Sequence, residues 1–488
     1  MKGLMPLSFI RIVVLTFVLA LIVPIENGAY AKSPYEGYGY SYWGKTIPAP
    51  VAYKPGRTVS GGSLGIGHFN QPRDLFVARD GSIYVVDTGN ARIVVLNAAF
   101  EFVREITGFD NRRKADNFNS PNGIFVTDDN DMYIADTGNS RVVHLDAAGK
   151  LAGLIETPKS EVLTAGFVFL PIKVAVDKAK RVYVVAQGTF DGIMEFDADG
   201  RFTGFTGTNR VRFSMVDYFW KMIATQEQRD RMQLFIPTEY TNLDIDPNGF
   251  LYTTNSDANT ASPIKRLNPT GIDVLRKEGY AVPSGDLKYI RFGEASGPSL
   301  FTDIAVRDNG VYSALDVRRG KIFTYDWDGN LLYIFGKLGN QKGTFHTPAA
   351  IDYAGDSILV LDRALNRITV FETTPIGRLI NQAVDLHFKG KDEQSAELWN
   401  KVIEYDANYD IAYTGISKAK LRSGMNRQAA EYAGLGMDKG YYSKAFQRYR
   451  KDVMREYFGT AMSLAFVLAL GVLVLRAIRR KKGGERRA

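Results

Sequence analysis

Residues 83–96 read IYVVDTGNARIVVL, and residues 132–145, which begin 49 positions later, read MYIADTGNSRVVHL. In each copy, two runs rich in β-branched residues flank an Asp-Thr-Gly-Asn turn, a pattern typical of two antiparallel strands. A unit of this size cannot bury its own apolar face, and it becomes stable only when copies stack on one another. The repeat therefore predicts an all-β architecture built from stacked units.

Further copies of the unit follow along the 488 residues of the chain. The residues expected to end the second strand of each unit lie 49, 50, 69, 61 and 46 positions apart. They are Asp87, Asp136, Ala186, Asn255, Asp316 and Asp362. Six units fit, each with four short strands and Gly-containing turns, and this is the organisation of propeller blades.

The pattern of a proline, an apolar strand and then Ile-Tyr-Val-x-Asp-Thr-Gly-Asn-x-Arg-Ile resembles the NHL repeat. Units one and two carry it most clearly, and units three to five are degenerate. Unit six keeps Pro348, Asp362, Asn366 and Arg367. The resemblance implies a mainly β fold, a six-bladed β-propeller over residues 45–373, related in architecture to the gluconolactonase-type propellers. It also implies that residues 51–60 add an outer strand to the last blade and so close an open sheet edge.

Both ends of the chain carry targeting patterns. Residues 1–31 combine basic residues, an apolar run and small residues, which predicts a secretory signal peptide, with a retained anchor as the alternative. Residues 457–475 hold no charge and would span about 28 Å as a helix, enough to cross a bilayer. Seven basic residues follow in the tail, 476–488. They predict a single-pass protein of the cell membrane, with the tail in the cytoplasm and the N-terminal ectodomain outside.

Charge and cysteine content restrict the function further. Most of the net charge of +8 lies in the basic tail, so the part outside the membrane is nearly neutral and nucleic-acid binding is not expected. The chain has no cysteine, which excludes disulfides and a thiol nucleophile. Burial alone must therefore hold the ectodomain together.

Two segments outside the repeat have patterns of their own. Residues 32–44 interleave glycine with aromatic side chains, which favours packing or a spacer, with sugar stacking as the alternative. Over residues 375–455 the apolar period becomes helical, and similar residues recur 34 positions apart, as in tetratricopeptide (TPR) repeats. We expect a helical TPR-like neck that packs on the propeller or on a partner, with a plain helical stalk as the alternative.

The acidic and basic residues of the blade turns are predicted to be structural. An aspartate and an arginine five positions apart across a tight turn can cap backbone N–H groups and face each other. The pairs are Asp87 with Arg92, Asp136 with Arg141, and Asp362 with Arg367. Because the motif recurs in several blades, it is typical of a scaffold and not of a unique site.

Long connections gather on one face of the predicted propeller, where binding loops on rigid scaffolds are common. The basic residues Arg112, Arg113 and Lys114 would suit an anionic ligand, with a solvated loop as the alternative. The aromatic residues Tyr218, Phe219 and Trp220 would suit a pocket or a partner, with a helix packed on its blade as the alternative.

The channel mouth is a further candidate. Aligned first strands place Asp74, Lys173, Asn242 and Asp303 at equivalent positions. The gluconolactonase-type resemblance implies a divalent metal held there by carboxylate and amide groups, and Asp74, Asn242 and Asp303 have that chemistry. Lys173 argues against a metal or would act as its counter-charge. No other cofactor is expected, and a hydrated polar channel is the alternative.

These features together predict a binding or assembly module for a protein or a cell-surface carbohydrate, with a membrane protein complex as a further candidate partner. The alternative is a metal-dependent hydrolase or lactonase that acts at the channel mouth. The sequence favours the binding module over the enzyme, because no complete set of catalytic residues can be recognised in it.

Overall fold

The computed structural model describes residues 33–163, 166–208, 239–255, 262–289 and 296–484. Within these ranges the chain forms six β-sheet blades in a ring, followed by helices. The predicted signal peptide and the aromatic candidates Tyr218, Phe219 and Trp220 lie outside the described residues.

The strands of the N-terminal segment and of the first three blades are bounded as follows. The segment before the repeats holds β1 (Tyr38–Tyr40), β2 (Thr46–Pro48) and β3 (Tyr53–Ser60). Blade 1 consists of β4 (Asp74–Val77), β5 (Ile83–Asp87), β6 (Arg92–Leu96) and β7 (Phe102–Ile106). A separate hairpin follows with β8 (Gly108–Asn111) and β9 (Lys114–Asn117). Blade 2 consists of β10 (Gly123–Val126), β11 (Met132–Asp136), β12 (Arg141–Leu145) and β13 (Leu151–Ile155). Blade 3 consists of β14 (Pro171–Val176), β15 (Val182–Ala186), β16 (Ile193–Phe196) and β17 (Phe202–Thr206).

The remaining blades complete the ring. The described part of blade 4 holds β18 (Tyr240–Ile245), β19 (Leu251–Asn255) and β20 (Ile264–Leu267). Blade 5 holds β21 (Phe301–Val306), β22 (Tyr312–Asp316), β23 (Lys321–Tyr325) and β24 (Leu331–Phe335). Blade 6 holds β25 (Pro348–Ala354), β26 (Ser357–Asp362) and β27 (Arg367–Thr373).

The second strand of each blade shows why the repeat folds as it does. These strands are rich in Val, Ile, Leu and Tyr and are buried almost throughout, because each lies between two strands of its own blade and two neighbouring blades. Each of the six ends at the residue that the sequence spacing predicted. The six-unit count is therefore confirmed.

The ring closes as predicted. Strand β3 pairs with β27, with Val59 opposite Ile368, so the N-terminal segment supplies the outer strand of blade 6. The inner strand β25 of blade 6 lies beside β4 of blade 1. Strands β1 and β2 extend blade 5 through a pairing of Tyr38 with Ile334, an addition that the sequence analysis did not predict.

Five helices follow blade 6 in the described chain. They are α1 (Pro375–Phe388), α2 (Asp392–Tyr405), α3 (Asp410–Arg422), α4 (Asn426–Leu435) and α5 (Lys439–Gly484). Thr374 begins α1, since its hydroxyl oxygen accepts the N–H of Gly377 at 3.2 Å. Each helix packs against the next one along the chain. The buried faces of α1 and α2, including Ile380 and Trp399, share one core with Tyr53 and Phe335 of the propeller.

The propeller has two distinct faces. We call the face with the turns after strand two and the connections between blades the elaborated face, and the opposite face, with the other intra-blade turns, the plain face. The neck packs at the plain face, where the Lys418 ammonium lies 3.1 Å from Oδ2 of Asp328, a residue of the turn between β23 and β24. Helix α5 is the one described helix that is long and apolar enough to cross a membrane.

Candidate functional site

The strand registers bring the channel residues to one level. Asp74 pairs with Val86, which directly precedes the residue that ends its blade's second strand. The same relation holds for Gly123 with Ala135, Lys173 with Val185, Asn242 with Thr254, Asp303 with Leu315 and Ala350 with Leu361. The six positions are thus equivalent around the ring, and the four polar ones occupy blades 1, 3, 4 and 5.

A buried ion pair joins blade 3 to blade 1 at this level. The Lys173 Nζ atom lies 2.6 Å from Oδ1 of Asp74, and both side chains are buried. Blade 2 contributes Gly123 between them. A Cβ atom on Gly123 would lie only 2.5 Å from the carbonyl oxygen of Ile172, so glycine lets blade 3 approach blade 2 closely.

Four carboxylates connect neighbouring inner strands, and we call them the inner carboxylates. Each accepts the backbone N–H of the next blade's first strand: Asp74 from Ile124 at 2.8 Å, Asp244 from Val306 at 2.8 Å, Asp303 from Ile351 at 2.6 Å and Asp352 from Val77 at 2.7 Å. Asp244 and Asp352 were not predicted from the sequence. The alternation of side chains along a strand could have revealed them, because each lies two residues beyond an aligned position and therefore on the same strand face.

Burial dominates the electrostatics of the inner carboxylates. It raises the pKa of Asp244 to about 6 and that of Asp303 to about 7, although Lys173 and backbone N–H groups act in the opposite direction. Burial, together with the charge of Asp244, raises the pKa of Asp352 well above its usual range. For Lys173 the balance is reversed, because burial disfavours the ammonium but Asp74, Asp303 and Asp244 outweigh it and raise its pKa.

The ring does not fit the divalent metal that the gluconolactonase-type resemblance implied. The Lys173 ammonium already contacts Asp74 and shares a level with Asn242 and Asp303, so an added dication would meet a fixed like charge. Across the described ranges, no three His, Asp or Glu side chains are grouped as metal ligands. We therefore derive no metal-dependent step.

The Asp turns of blades 1 and 2 hold their arginines as scaffold contacts. Asp87 Oδ2 lies 2.8 Å from Nε of Arg92, and its Oδ1 accepts the N–H of Asn70 at 2.7 Å. Asp136 and Arg141 make the same pair at 2.9 Å. These carboxylates have no exposed surface, so they are not available to a ligand.

Blade 6 departs from this arrangement. Asp362 accepts N–H groups of its own turn and of His346 and Thr347, and no ion pair joins it to Arg367 in the described structure. The Nε atom of Arg367 is buried without a hydrogen-bond partner among the described residues. Asp362 therefore caps backbone N–H groups as predicted, but the predicted contact with Arg367 is not formed.

The basic candidates lie at the tip of the β8–β9 hairpin on the elaborated face. Arg112 and Arg113 are its two central residues, with φ values of +54° and +71°, and both are exposed together with Lys114. The base of the hairpin is fixed by Arg141, whose two Nη atoms lie 2.8 and 2.9 Å from the carboxylate of Asp116. Hydrogen bonds from Arg141 hold the pKa of Asp116 at about 2.

Another connection on the elaborated face, which contains Asp286, makes contacts within the protein. Asp286 accepts hydrogen bonds from the hydroxyl groups of Tyr38 at 2.5 Å and Tyr40 at 2.7 Å, and Arg319 and Lys321 lie close to the same carboxylate. This cluster holds the aromatic N-terminal segment against blade 5. Aromatic packing is thus the observed role of its buried tyrosines, whereas Trp43 is 73% exposed.

A cavity of about 1030 Å³ opens on the plain face. Its wall contains Asp352 of the inner carboxylates, Arg307 from a turn of blade 5 and Phe388 from the end of α1. This cavity could not be predicted from the sequence, because turns of three blades and a helix meet there only in the folded chain.

Comparison with known proteins supports the repeat assignment. The family model of the NHL repeat matches residues 69–96 and 118–145, which contain the first three strands of blades 1 and 2. The chain therefore carries NHL repeats, and the resemblance drawn from these residues is confirmed. No curated protein matches the chain by sequence.

Several solved propellers resemble the chain. Virginiamycin B lyase from Staphylococcus aureus is 12% identical, with 69% of this chain and 87% of that one covered and a TM-score of 0.40. A streptogramin B lyase is 14% identical over 70% and 93%, with a TM-score of 0.39. A protein described as a putative gluconolactonase is 11% identical over 70% and 98%, with a TM-score of 0.41. The propeller assignment here rests on the strand pairing, and these likenesses add no argument for a shared activity.

The raised pKa values of the inner carboxylates predict a pH-dependent stability. Folding raises the pKa of Asp244 to about 6 and of Asp303 to about 7, so stability present at low pH is lost as the pH rises through these values. In Asp303→Asn, the loss of unfolding free energy between about pH 5 and about pH 8 should be smaller than in the unsubstituted chain by about 1 kcal/mol or more.

Urea titrations of the full chain in detergent, followed by circular dichroism, measure this difference. Asp129→Asn serves as the control, because Asp129 is an exposed carboxylate outside the channel. Equal pH dependence in all three proteins would contradict the assignment.

Proposed function

We propose that the chain is a binding module of the cell surface, anchored by α5, whose elaborated face recognises an anionic protein or carbohydrate. The observation that carries this proposal is the tip of the β8–β9 hairpin, where two exposed arginines adopt left-handed backbone conformations. A helix that can cross a membrane and a neck packed at the plain face are consistent with it.

The backbone at the tip is costly for arginine. Two-residue hairpin turns with positive φ at both central positions favour Asn-Gly, because a Cβ atom in this region costs about 1–2 kcal/mol for each residue. Within the described chain, neither the Arg112 nor the Arg113 side chain makes a hydrogen bond or an ion pair that would offset this cost. Unrelieved strain of this kind is characteristic of functional positions. We take it as support for an external contact.

The hairpin is also prepared for binding by a rigid base. Arg141 holds Asp116 through two hydrogen bonds, and the rings of Phe109 and Phe118 pack with centroids 5.9 Å apart. A hairpin tip that is already ordered in the free protein loses less conformational entropy when it binds a ligand. Arginine suits carboxylate, sulfate and phosphate groups because its planar donors can pair with two oxygens.

The hydrolase considered from the sequence finds less support. Its metal ligands would have been Asp74, Asn242 and Asp303, and Lys173 lies among them with its ammonium on Asp74. The division into two faces favours the module, because the neck packs at the plain face and leaves the elaborated face free for a partner.

A double substitution at the hairpin tip should change stability and ligand affinity in opposite directions. Arg112→Asn with Arg113→Gly should raise the free energy of unfolding by about 1–3 kcal/mol, because it relieves the strained turn. The same change should weaken binding to an acidic polymer about tenfold or more, because two cations are lost. Polyglutamate and dextran sulfate are the two probes, neutral dextran is the blank, and biolayer interferometry with the full chain in detergent gives the affinities.

The plain face supplies a matched control for this test. Lys178 and Lys180 are exposed cations of a short turn between β14 and β15, and Lys180 has a φ of +61°. Lys178→Asn with Lys180→Gly removes the same charge and relieves a positive φ at one position, and it should leave binding unchanged. Equal losses from both double variants, or no loss from the hairpin variant, would overturn the proposal.

The proposed topology has its own test. Because the chain has no cysteine, Lys178→Cys and Arg487→Cys each introduce a single thiol. A membrane-impermeant maleimide should label Lys178→Cys on intact cells and Arg487→Cys only after permeabilisation, since the basic tail is retained inside. The reverse labelling pattern would contradict the topology.

A further inference from the structure

We infer that the channel ring is a cation site whose resident cation is the chain's own Lys173 ammonium, and that removing this ammonium opens the site to a free divalent cation. This site lies in the channel and is independent of the ligand proposed for the elaborated face. The charges, the donor atoms and the packing around Lys173 all support it.

The charges are the first observation. Asp74, Asp244, Asp303 and Asp352 line neighbouring inner strands, and Lys173 lies 2.6 Å from Asp74. Among the described residues, no cation lies within ion-pair distance of the other three carboxylates. When these carboxyl groups are ionised the ring attracts cations, and the attraction is strengthened by its buried surroundings.

An unpaired donor atom is the second observation. Asn242 is 7% exposed, and its Oδ1 atom is buried without a hydrogen-bond partner in the described chain. The register places Asn242 at the level of Lys173 and Asp303. Carboxylate and amide oxygens together form the ligand set that Ca²⁺ prefers. A buried acceptor left open beside carboxylates points to a cation as its missing partner.

The path of the lysine side chain is the third observation. Lys173 starts on blade 3 and reaches Asp74 on blade 1 past Gly123 of blade 2, a glycine that lets blade 3 approach blade 2 closely. Its methylene groups and ammonium therefore occupy the space next to the ring. Replacing Lys173 by alanine removes both the bulk and the positive charge, and it leaves the oxygen atoms in place.

The test compares the full chain with Lys173→Ala in detergent at about pH 8, well above the ordinary pKa of an aspartate. Millimolar Ca²⁺ should raise the melting temperature of Lys173→Ala by about 5 °C or more, and it should leave the unsubstituted chain unchanged. Propylammonium, which restores the lost ammonium, should also stabilise the variant, whereas propanol should not.

Two controls make the result specific. Lys418 is another buried lysine paired with a single aspartate, Asp328, but it lies at the neck, so Lys418→Ala should be destabilised without gaining a response to Ca²⁺. Adding Asp303→Asn to Lys173→Ala should abolish the gained response, because it removes a ligand of the new site.

A folded Lys173→Ala that responds to neither Ca²⁺ nor propylammonium would overturn the inference. An equal Ca²⁺ response in the unsubstituted chain would overturn it as well, because Lys173 would then not be the resident cation. If Lys173→Ala does not fold by itself, refolding in millimolar Ca²⁺ or propylammonium decides: recovery of the folded state with either cation supports the inference, and no recovery with both contradicts it.

Discussion

The hydrogen bond from a backbone N–H of one inner strand to a buried carboxylate of the preceding blade is the interaction on which the ring depends. Inner strands of neighbouring blades do not pair as a sheet, so their N–H groups need other acceptors. Asp74, Asp244, Asp303 and Asp352 supply them at the junctions of blades 1–2, 4–5, 5–6 and 6–1, the last of which closes the ring. The cost is a channel that gathers negative charge, which Lys173 partly neutralises.

The residues with structural roles and the residues proposed for recognition lie on different parts of the propeller. The channel contains charges that serve the ring, and burial raises the pKa values of its carboxylates, so part of the charge is removed by protonation. The plain face receives the neck, whose Trp399 and Ile380 share a core with the propeller. The elaborated face keeps the strained hairpin tip at Arg112 and Arg113. We therefore propose recognition at the connections between blades, where the repeat is interrupted.

Much of the fold could be predicted from the sequence, because period, spacing and turn chemistry are local signals. They located the ends of the six second strands, the outer strand at residues 51–60 and the channel position of Lys173. What could not be predicted depends on tertiary contacts. The addition of β1 to blade 5 depends on Asp286, which is distant in sequence, and the arginine turn has none of the usual Asn-Gly residues. Asp362 does not pair with Arg367 because its carboxylate accepts the backbone N–H groups around it, among them that of His346.

Hydrogen–deuterium exchange of the full chain with and without polyglutamate or dextran sulfate tests the central claim most directly, namely that the inner carboxylates hold backbone N–H groups of neighbouring blades and that ligands bind on the elaborated face. The account predicts new protection at residues 108–117 on addition of at least one of the two polymers. It also predicts that the amides of Val77, Ile124, Val306 and Ile351 are slow to exchange in both states, because their carboxylate partners are buried. Protection confined to the channel or the plain face, with the hairpin unchanged, would contradict it.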